Sequence, residues 1–224
     1  MKGNRLKYFE IGQTKIKDFE ISPDGQSILI INSSKNSKKD AQLWDLDGNL
    51  LMTFKRHLQT IEDIAFSPDG QKILTASNDS TAILWNTKTG KPIYVFKDHY
   101  SPVISADFSP NGKEVITAGF YEIFKWNLDG EQTKTIQNIN QKITCVKYLP
   151  DGEHILIGGY QGSLRLINIH IPLEANFKGH HRTVKEIDFS SQGRAISVES
   201  NNNKIIINKS KCSGSSIRKR ECKL

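Results

Sequence analysis

Residues 66–86, FSPDGQKILTASNDSTAILWN, decide the fold of this chain. Phe66 ends one short apolar stretch, and Pro68-Asp69-Gly70 is a tight-turn sequence. In such a turn proline presets φ, aspartate bonds its own backbone, and glycine takes the left-handed conformation. A second turn at residues 78–80 precedes another apolar stretch that ends at Trp85. The stretch therefore predicts three short strands joined by two turns.

The same pattern occurs five times along the chain. Its turn glycines are spaced by 40 to 45 residues and are Gly25, Gly70, Gly112, Gly152 and Gly193. Its closing positions are spaced by 40 or 41 residues and are Trp44, Trp85, Trp126, Ile167 and Ile207. A period of this length with several short strands per unit is typical of a propeller with one blade per repeat. The predicted fold class is all-β, with about five four-stranded blades.

The predicted blades cover residues 12–54, 55–96, 97–137, 138–177 and 178–208. Residues 6–10 have the pattern of a fourth strand but precede the first repeat. The last repeat has no fourth strand of its own, because residues 209–224 are rich in Ser, Lys and Arg and are predicted to be a disordered tail. The inserted residues 32–40 of the first repeat are predicted to be a solvated loop.

The basic character of the chain is concentrated in the tail. The formal net charge is +7, and residues 209–224 contain six basic residues and one acidic residue, which leaves +2 for residues 1–208. No apolar run approaches the roughly 18 residues of a membrane span, and the first residues lack a secretory signal. Three unclustered cysteines, Cys145, Cys212 and Cys222, favour a reducing compartment over a disulfide framework or a zinc site. We expect a cytoplasmic protein that does not bind a membrane.

The repeated Ser-Pro-Asp-Gly turns, the closing Trp-Asp or Trp-Asn pairs and the histidines before the first strands resemble the WD40 repeat family over residues 6–208. The resemblance implies a β-propeller that acts as a platform for protein–protein contact and has no catalysis of its own. It also implies that residues 6–10 pair beside residues 205–208 and so complete the last blade. Such pairing satisfies two open sheet edges, which otherwise invite aggregation.

The resemblance further implies a buried hydrogen-bonded group of four residues, which in the second repeat are His57, Thr75, Asp79 and Trp85. The third repeat has His99, Thr117 and Trp126, with Phe120 and Tyr121 where the aspartate belongs. The fifth repeat has His180, with Ile207 at the tryptophan position. The first repeat lacks the histidine and the fourth lacks both histidine and tryptophan, so these blades are expected to depend more on apolar packing.

The sequence does not decide whether the five repeats close into a ring. Five repeats fit a small closed ring, in which each blade turns by about 72°. The missing fourth strand equally fits an incomplete ring or a part of a larger array.

Three motifs that suggest chemistry are better explained as turns or loops. The sequence from Asp45 to Asn49 opens like a calcium loop but lacks the later ligands, and the glycine-rich residues 158–162 lack the helix start that a phosphate cradle needs. His180 and His181 are adjacent, so they point to opposite sides of an extended chain and chelate one metal poorly. We predict no metal, no cofactor and no enzymatic activity.

The predicted function is therefore a surface property. The loops before each first strand, and those between second and third strands, are expected to share one face. The aromatic and basic residues on that face are candidates for partner binding because such residues often dominate interface energy; they are Arg56, Tyr100, Phe120, Tyr121, Tyr160, His181 and Arg182. The main hypothesis is a scaffold that binds a protein or peptide there. Nucleic-acid or polyanion binding through the basic tail is the weaker alternative, since residues 1–208 are nearly neutral. A sugar-binding or enzymatic propeller is less favoured still, because the repeats share no polar pocket motif.

Overall fold

A computed structural model of the chain describes residues 15–32, 40–136, 141–170, 174–177, 180–189, 195–199 and 205–208. Three sequence predictions concern residues outside these ranges: the strand at 6–10, most of the insert at 32–40, and the tail at 209–224. Within the described ranges almost every regular element is a β-strand, apart from one short 3₁₀ turn at Tyr160–Gly162. No helix in this part of the chain is long and apolar enough to cross a membrane.

The strands form five antiparallel sheets in chain order. Sheet 1 contains β1 (Ile16–Ile21), β2 (Ser27–Asn32), β3 (Asp40–Asp45) and β4 (Leu50–Lys55). Sheet 2 contains β5 (Ile61–Phe66), β6 (Lys72–Ser77), β7 (Ala82–Asn86) and β8 (Pro92–Phe96). Sheet 3 contains β9 (Ser105–Phe108), β10 (Glu114–Ala118), β11 (Ile123–Asn127) and β12 (Gln132–Ile136). Sheet 4 contains β13 (Ile143–Tyr148), β14 (His154–Gly159), β15 (Leu164–Asn168) and β16 (Glu174–Phe177). Sheet 5 contains β17 (Val184–Phe189), β18 (Ala195–Glu199) and β19 (Ile205–Asn208).

The turn between the first two strands of a sheet is built as its sequence predicts. In sheet 2, Ser67 Oγ donates to Asp69 Oδ1 at 2.6 Å, and the same oxygen accepts the backbone N–H of Gln71 at 2.9 Å. Gly70 follows with a φ of +68°, a conformation in which a Cβ atom would be strained. Sheets 1 and 3 repeat these bonds, so the turn between their first two strands has the same geometry.

We call the first strand of each sheet its inner strand, because these five strands line one central cavity of about 600 Å³. A bulge after the first residue of β5 puts its first, fourth and sixth residues on one side, the front face. The third and fifth residues lie toward the opposite side, the back face. This assignment follows from packing: Ile61, Ile64 and Phe66 are buried against sheet 1, whereas Ala65 is buried against sheet 3.

The core consists of the layers between consecutive sheets. Four apolar clusters join sheets 1 and 2, 2 and 3, 3 and 4, and 4 and 5. We call the fourth strand of each sheet its outer strand. In two of these layers a phenylalanine of the outer strand packs on the tryptophan of the next sheet. The ring centroids of Phe54 and Trp85 are 5.5 Å apart, and those of Phe96 and Trp126 are 5.1 Å apart. Each front face is thus completed by the sheet before it.

The outer strand of sheet 3 lacks the apolar pattern of the other outer strands. The segment Gln132–Ile136 reads QTKTI, and its first four residues are polar, yet it forms β12 at the edge of sheet 3. An edge strand needs only one bonded neighbour and little burial, so apolar content is a poor guide to it.

Candidate protein-binding site

A buried chain of hydrogen bonds fixes the loop end of sheet 2. Trp85 Nε1 donates to Thr75 Oγ1 at 3.0 Å, and Thr75 Oγ1 lies 2.7 Å from His57 Nε2. His57 Nδ1 lies 2.9 Å from Asp79 Oδ2. A neutral imidazole protonated at Nδ1 satisfies both of its contacts, because Nδ1 then donates to the carboxylate and Nε2 accepts from the threonine hydroxyl. The four residues named from the sequence therefore form one connected network.

Asp79 connects this network to the backbone of the loop before β5. Its Oδ2 also accepts the N–H of Leu58 at 2.7 Å, and its Oδ1 accepts from the hydroxyl of Thr81 at 2.6 Å. Burial alone raises the pKa of Asp79, but the hydrogen bonds from His57, Thr81 and Leu58 outweigh it and hold the pKa well below 3.8. The aspartate is therefore ionised and keeps two loops at one end of sheet 2 together.

Sheet 3 contains the same network with a substitute that the sequence analysis missed. Thr117 Oγ1 accepts from Trp126 Nε1 at 2.8 Å and lies 2.6 Å from His99 Nε2. Glu122 Oε1 lies 3.2 Å from His99 Nδ1, so the acid expected at residues 120 and 121 is supplied by the next residue. The extra methylene group of glutamate lets the carboxylate reach the histidine from directly before β11.

The remaining sheets depart from the network in different ways. In sheet 1 the position of Thr75 is taken by Ile30, and the buried Nε1 of Trp44 has no hydrogen-bond partner among the described residues. In sheet 4 the corresponding positions hold Ile157 and Ile167, which are packed in the apolar cluster with sheet 3. The expected reliance on apolar packing fits sheet 4.

Sheet 5 contains part of the network, and its tryptophan position differs from the one predicted. His180 is buried, and its Nε2 lies 2.7 Å from Ser197 Oγ, which takes the place of Thr75. However, Ala195 pairs with Asn208 as Ile73 pairs with Trp85, so the tryptophan position is Asn208 and not Ile207. The assignment to Ile207 was wrong by one residue because spacing alone does not determine strand register.

The predicted binding residues lie in connections at one end of the sheets. In an antiparallel sheet the link between strands two and three, and the exit from strand four, are at the same end. Backbone bonds join these loops directly, as from Val103 N to Ser77 O at 3.0 Å and from Ile143 N to Phe120 O at 2.8 Å. Phe120 is partly buried, and the other six candidates are exposed: Arg56, Tyr100, Tyr121, Tyr160, His181 and Arg182.

Three side chains meet at the mouth of the central cavity on this loop face. The ammonium group of Lys142 lies 3.8 Å from the ring centroid of Phe120 and 5.2 Å from that of Tyr160. The backbone positions them, because Phe120 accepts from Ile143 N, and Lys142 O accepts from Tyr160 N at 3.0 Å. Phe120 belongs to a loop of sheet 3 and Tyr160 to a loop of sheet 4, so the tertiary structure brings them together. All three residues also line the cavity.

The sequence analysis did not include Lys142. It lies immediately before β13, in one of the two loop classes expected on that face, but lysine is depleted in protein interfaces, so its residue type gives no signal of a binding site. Its place between two aromatic residues from different repeats depends on packing between sheets.

Arg56 lies at the same end of the sheets but not at the mouth of the central cavity. It lines a separate groove of about 370 Å³ beside the outer strand β8, together with Ile93, Tyr94, Lys97 and Asp98. The ring of Tyr94 packs directly on Gly130. The absence of a side chain at Gly130 permits this contact, because a Cβ atom there would lie 2.0 Å from the tyrosine ring. The candidates therefore do not form one continuous patch.

Half of the residues that line the cavity below Lys142 are charged. Acidic residues outnumber basic ones among its lining residues, and burial raises the pKa of Glu20 to about 8 and that of Asp18 to about 6. Burial also favours the neutral form of Lys147, but Asp107, Asp63 and Glu20 outweigh it and raise the lysine's pKa.

The motifs interpreted as turns have turn geometry. Asp45 Oδ1 accepts the N–H groups of Asp47 and Asn49, each at 2.8 Å, and Gly48 has a φ of +87°. The glycine-rich segment contains the 3₁₀ turn at Tyr160–Gly162, and His181 is exposed. Within the described residues, no group of three or more His, Cys, Asp and Glu side chains is placed to hold a metal ion.

Comparison with known proteins agrees with this architecture. The family described as "WD domain, G-beta repeat" matches residues 48–86, 90–120 and 130–168. Each match begins near the outer strand of one sheet and continues into the next sheet, so the sequence repeat straddles two sheets. No curated protein matches the chain significantly. Members of this repeat family are generally protein-interaction scaffolds without catalysis. The chain belongs to the WD40 repeat family, whose repeats it matches at three segments.

Proposed function

We propose that this protein is a non-enzymatic scaffold that binds a protein or peptide partner on its loop face, at the mouth of the central cavity. The observation that carries the proposal is the meeting of Phe120 and Tyr160 around Lys142, next to the exposed Tyr121. Aromatic side chains lose little conformational entropy on binding and provide a large contact area, so they often anchor interfaces.

Backbone hydrogen bonds that hold the loops of Phe120 and Tyr160 in place support this proposal. The backbone bonds from Ile143 to Phe120 and from Tyr160 to Lys142 fix the aromatic pair before any partner arrives. A preorganised site loses less side-chain and loop freedom on association. The same proposal places the protein in the cytoplasm, because three unclustered cysteines suit a reducing compartment.

The test is selection from a random peptide display library on the immobilised protein, followed by capture measurements on the selected peptides. Replacing Tyr121 and Tyr160 together with alanine should weaken capture about tenfold or more, equivalent to about 1.4 kcal/mol. The melting temperature should change little, because both side chains are exposed.

Ile93→Ala is the matched control, since Ile93 is also an exposed apolar residue but lies on the outer strand β8. This variant should capture the peptides like the wild type. Equal capture by the double variant and the wild type would show that the cavity mouth is not the binding site.

A further inference from the structure

The ammonium group of Lys142 has no hydrogen-bond or ion-pair partner among the residues that the structure describes. It lies over the ring of Phe120, 3.8 Å from the centroid, and close to the ring of Tyr160, and its side chain is half-buried. An ammonium group has three N–H donors, and the ring faces attract its charge without accepting conventional hydrogen bonds. The two rings therefore hold a cation in place and leave its donors available to an anion.

The charges that line the central cavity are arranged in layers. The inner strands begin at the loop face, and β1, β5, β13 and β17 each have a bulge after their first residue, so equivalent positions lie at similar depth. The second positions of β1, β5 and β17, nearest the mouth, hold Lys17, Glu62 and Lys185. The third positions of the same strands, one step deeper, hold Asp18, Asp63 and Glu186. The lining therefore changes from mainly basic at the mouth to acidic below it.

The basic residues at the mouth differ in whether an acidic side chain pairs with them. Lys17 forms an ion pair with Glu62 at 2.6 Å and also donates to the carbonyl oxygen of Ile61 at 2.9 Å. Lys185 is exposed and, within the described part of the chain, forms no ion pair. The mouth therefore has two positive charges, those of Lys142 and Lys185, that no described acidic side chain pairs.

We propose that the partner segment bound at the cavity mouth carries an acidic side chain, aspartate or glutamate, whose carboxylate binds the ammonium group of Lys142. The proposal rests on the function proposed above and specifies the chemistry of the partner. Lys142 lies between the loops of Tyr121 and Tyr160, so a segment that contacts both tyrosines passes over it with an internal residue and not with its terminus. The carboxylate stays at the mouth, because the acidic third positions repel it further inside.

The structure around Lys142 favours such a contact. A carboxylate forms charge-assisted hydrogen bonds with an ammonium group, and these are stronger than hydrogen bonds between neutral groups. The two rings and the backbone bond from Tyr160 N to Lys142 O already orient the lysine, so little freedom is lost on binding. In the bound state the flanking aromatic side chains exclude water, which strengthens the attraction. The site therefore fits an acidic side chain between apolar or aromatic ones.

The experiment uses two peptide display libraries, each selected on the immobilised full chain. The central residue is fixed as glutamate in one library and as glutamine in the other, and the flanking positions are random. The glutamate library should yield binders, and each should lose about tenfold or more in affinity when glutamine replaces its central glutamate. Amidation of the peptide's carboxyl terminus should change nothing, since the contact is made by an internal residue.

Variants of the protein locate the contact. Lys142→Met keeps a long side chain against the rings but removes the charge, so it should bind the glutamate and glutamine forms of a peptide equally. Lys142→Arg retains a cation and should still prefer glutamate. Lys97→Met is the matched control, because Lys97 is an exposed lysine that follows β8 and lines the separate groove, and it should bind like the wild type. Urea midpoints establish that each variant folds.

The outcomes separate this proposal from the function on which it rests. Binders that tolerate glutamine, or that still prefer glutamate on Lys142→Met, overturn the acidic contact, whereas their dependence on Tyr121 and Tyr160 would still support a binding site at the mouth. Loss of binding on amidation overturns it in favour of a terminal carboxylate. Binders that need Lys142 and glutamate but neither tyrosine support the acidic contact and overturn the aromatic anchors. If neither library yields a binder, both proposals are overturned.

Discussion

The carboxylate of Glu122 lies 3.2 Å from His99 Nδ1, in the role that Asp79 has toward His57 at 2.9 Å. Glu122 Oε1 also accepts from the hydroxyl of Ser101 at 2.9 Å, and Ser101 Oγ accepts the N–H of Phe120 at 2.9 Å. The buried network of sheet 3 is therefore connected to the loop that presents Phe120 at the cavity mouth.

Replacing Glu122 with alanine should destabilise the protein by about 1–3 kcal/mol, because it removes a buried acceptor from His99 and Ser101. Glu122→Asp should recover little of this loss, since its shorter side chain does not reach both partners. The measurement is the urea midpoint of each variant. Glu131→Ala, at the exposed turn before β12, is the control, and a midpoint for Glu122→Ala equal to that of the control would contradict the prediction.

Asp79→Ala should cost more stability than Asp40→Ala. Asp79 accepts hydrogen bonds from His57, Leu58 and Thr81 in a buried network, and its loss should cost about 1–3 kcal/mol. Asp40 faces the exposed Lys55 at 3.7 Å, and an exposed pair contributes about 0–1 kcal/mol. Urea unfolding at neutral pH compares the two, and equal midpoints would argue that the network adds nothing.

The same network should make stability sensitive to acid. The pKa of Asp79 is lower in the folded protein than in the unfolded chain, so its contribution is complete above about pH 4 and is lost as the pH falls through the folded pKa. The difference in stability between the wild type and Asp79→Ala should therefore shrink in acid. Urea midpoints at pH values on both sides of this range measure it, and a difference that is independent of pH would contradict the prediction.

Trp44 and Trp85 should respond differently to replacement by phenylalanine. Trp85 Nε1 donates to Thr75, so Trp85→Phe leaves the threonine hydroxyl short of a partner and should cost about 1–3 kcal/mol. Trp44 Nε1 is buried without an acceptor among the described residues, so Trp44→Phe removes an unsatisfied group and should cost less. Thermal melts of the two variants make the comparison, and the prediction fails if Trp44→Phe is the more destabilising.

Glu20 should make the protein less stable as the pH rises. Burial raises its pKa from 4.5 to about 8, partly opposed by Lys147 and by the Phe66 N–H and supported by Asp107 and Asp63. The folded protein then holds a proton that the unfolded chain releases, so stability falls between about pH 4.5 and pH 8. Glu20→Gln keeps an acceptor for Phe66 and removes this loss, so it should melt higher than the wild type near pH 8.

Near pH 5 the Glu20→Gln variant and the wild type should melt alike, because the wild-type glutamic acid is then protonated in the folded state. Glu153→Gln, at an exposed turn residue, is the control and should leave the pH dependence of the wild type unchanged. An identical pH dependence of melting for Glu20→Gln and the wild type would falsify the prediction.

Deleting residues 1–11 should destabilise or aggregate the protein far more than deleting residues 210–224. Residues 6–10 have a strand pattern. β19 is the edge strand of a three-stranded sheet, whereas each of the other four sheets has a fourth strand. Removing that segment leaves the edge of β19 without its expected partner. Thermal melting and light scattering of both truncations test this, and a monomeric 1–11 deletion that melts like the wild type would show that these residues do not complete sheet 5.

Much of the architecture could be predicted from the sequence because its signals are local. The Ser67-Pro68-Asp69-Gly70 turn forms bonds among its own residues, and the strands that flank it repeat with a regular period. Features with a weak local signal were either not located from the sequence or placed at the wrong residue. The strand Gln132–Ile136 is mostly polar, Glu122 replaces aspartate at a shifted position, and the register of β19 differs by one residue from the spacing.

Sequence patterns alone were enough to predict that the chain is all-β, where nearly every strand lies, and which residues form the network of sheet 2. These properties follow from turn chemistry and repeat spacing, which neighbouring residues determine. Only the tertiary structure brought Lys142 between Phe120 and Tyr160 and separated Arg56 from them, since these contacts join loops of different sheets. It alone left Phe19 and Ile21 exposed, because the burial of a front face depends on the sheet in front of it and not on its own residues.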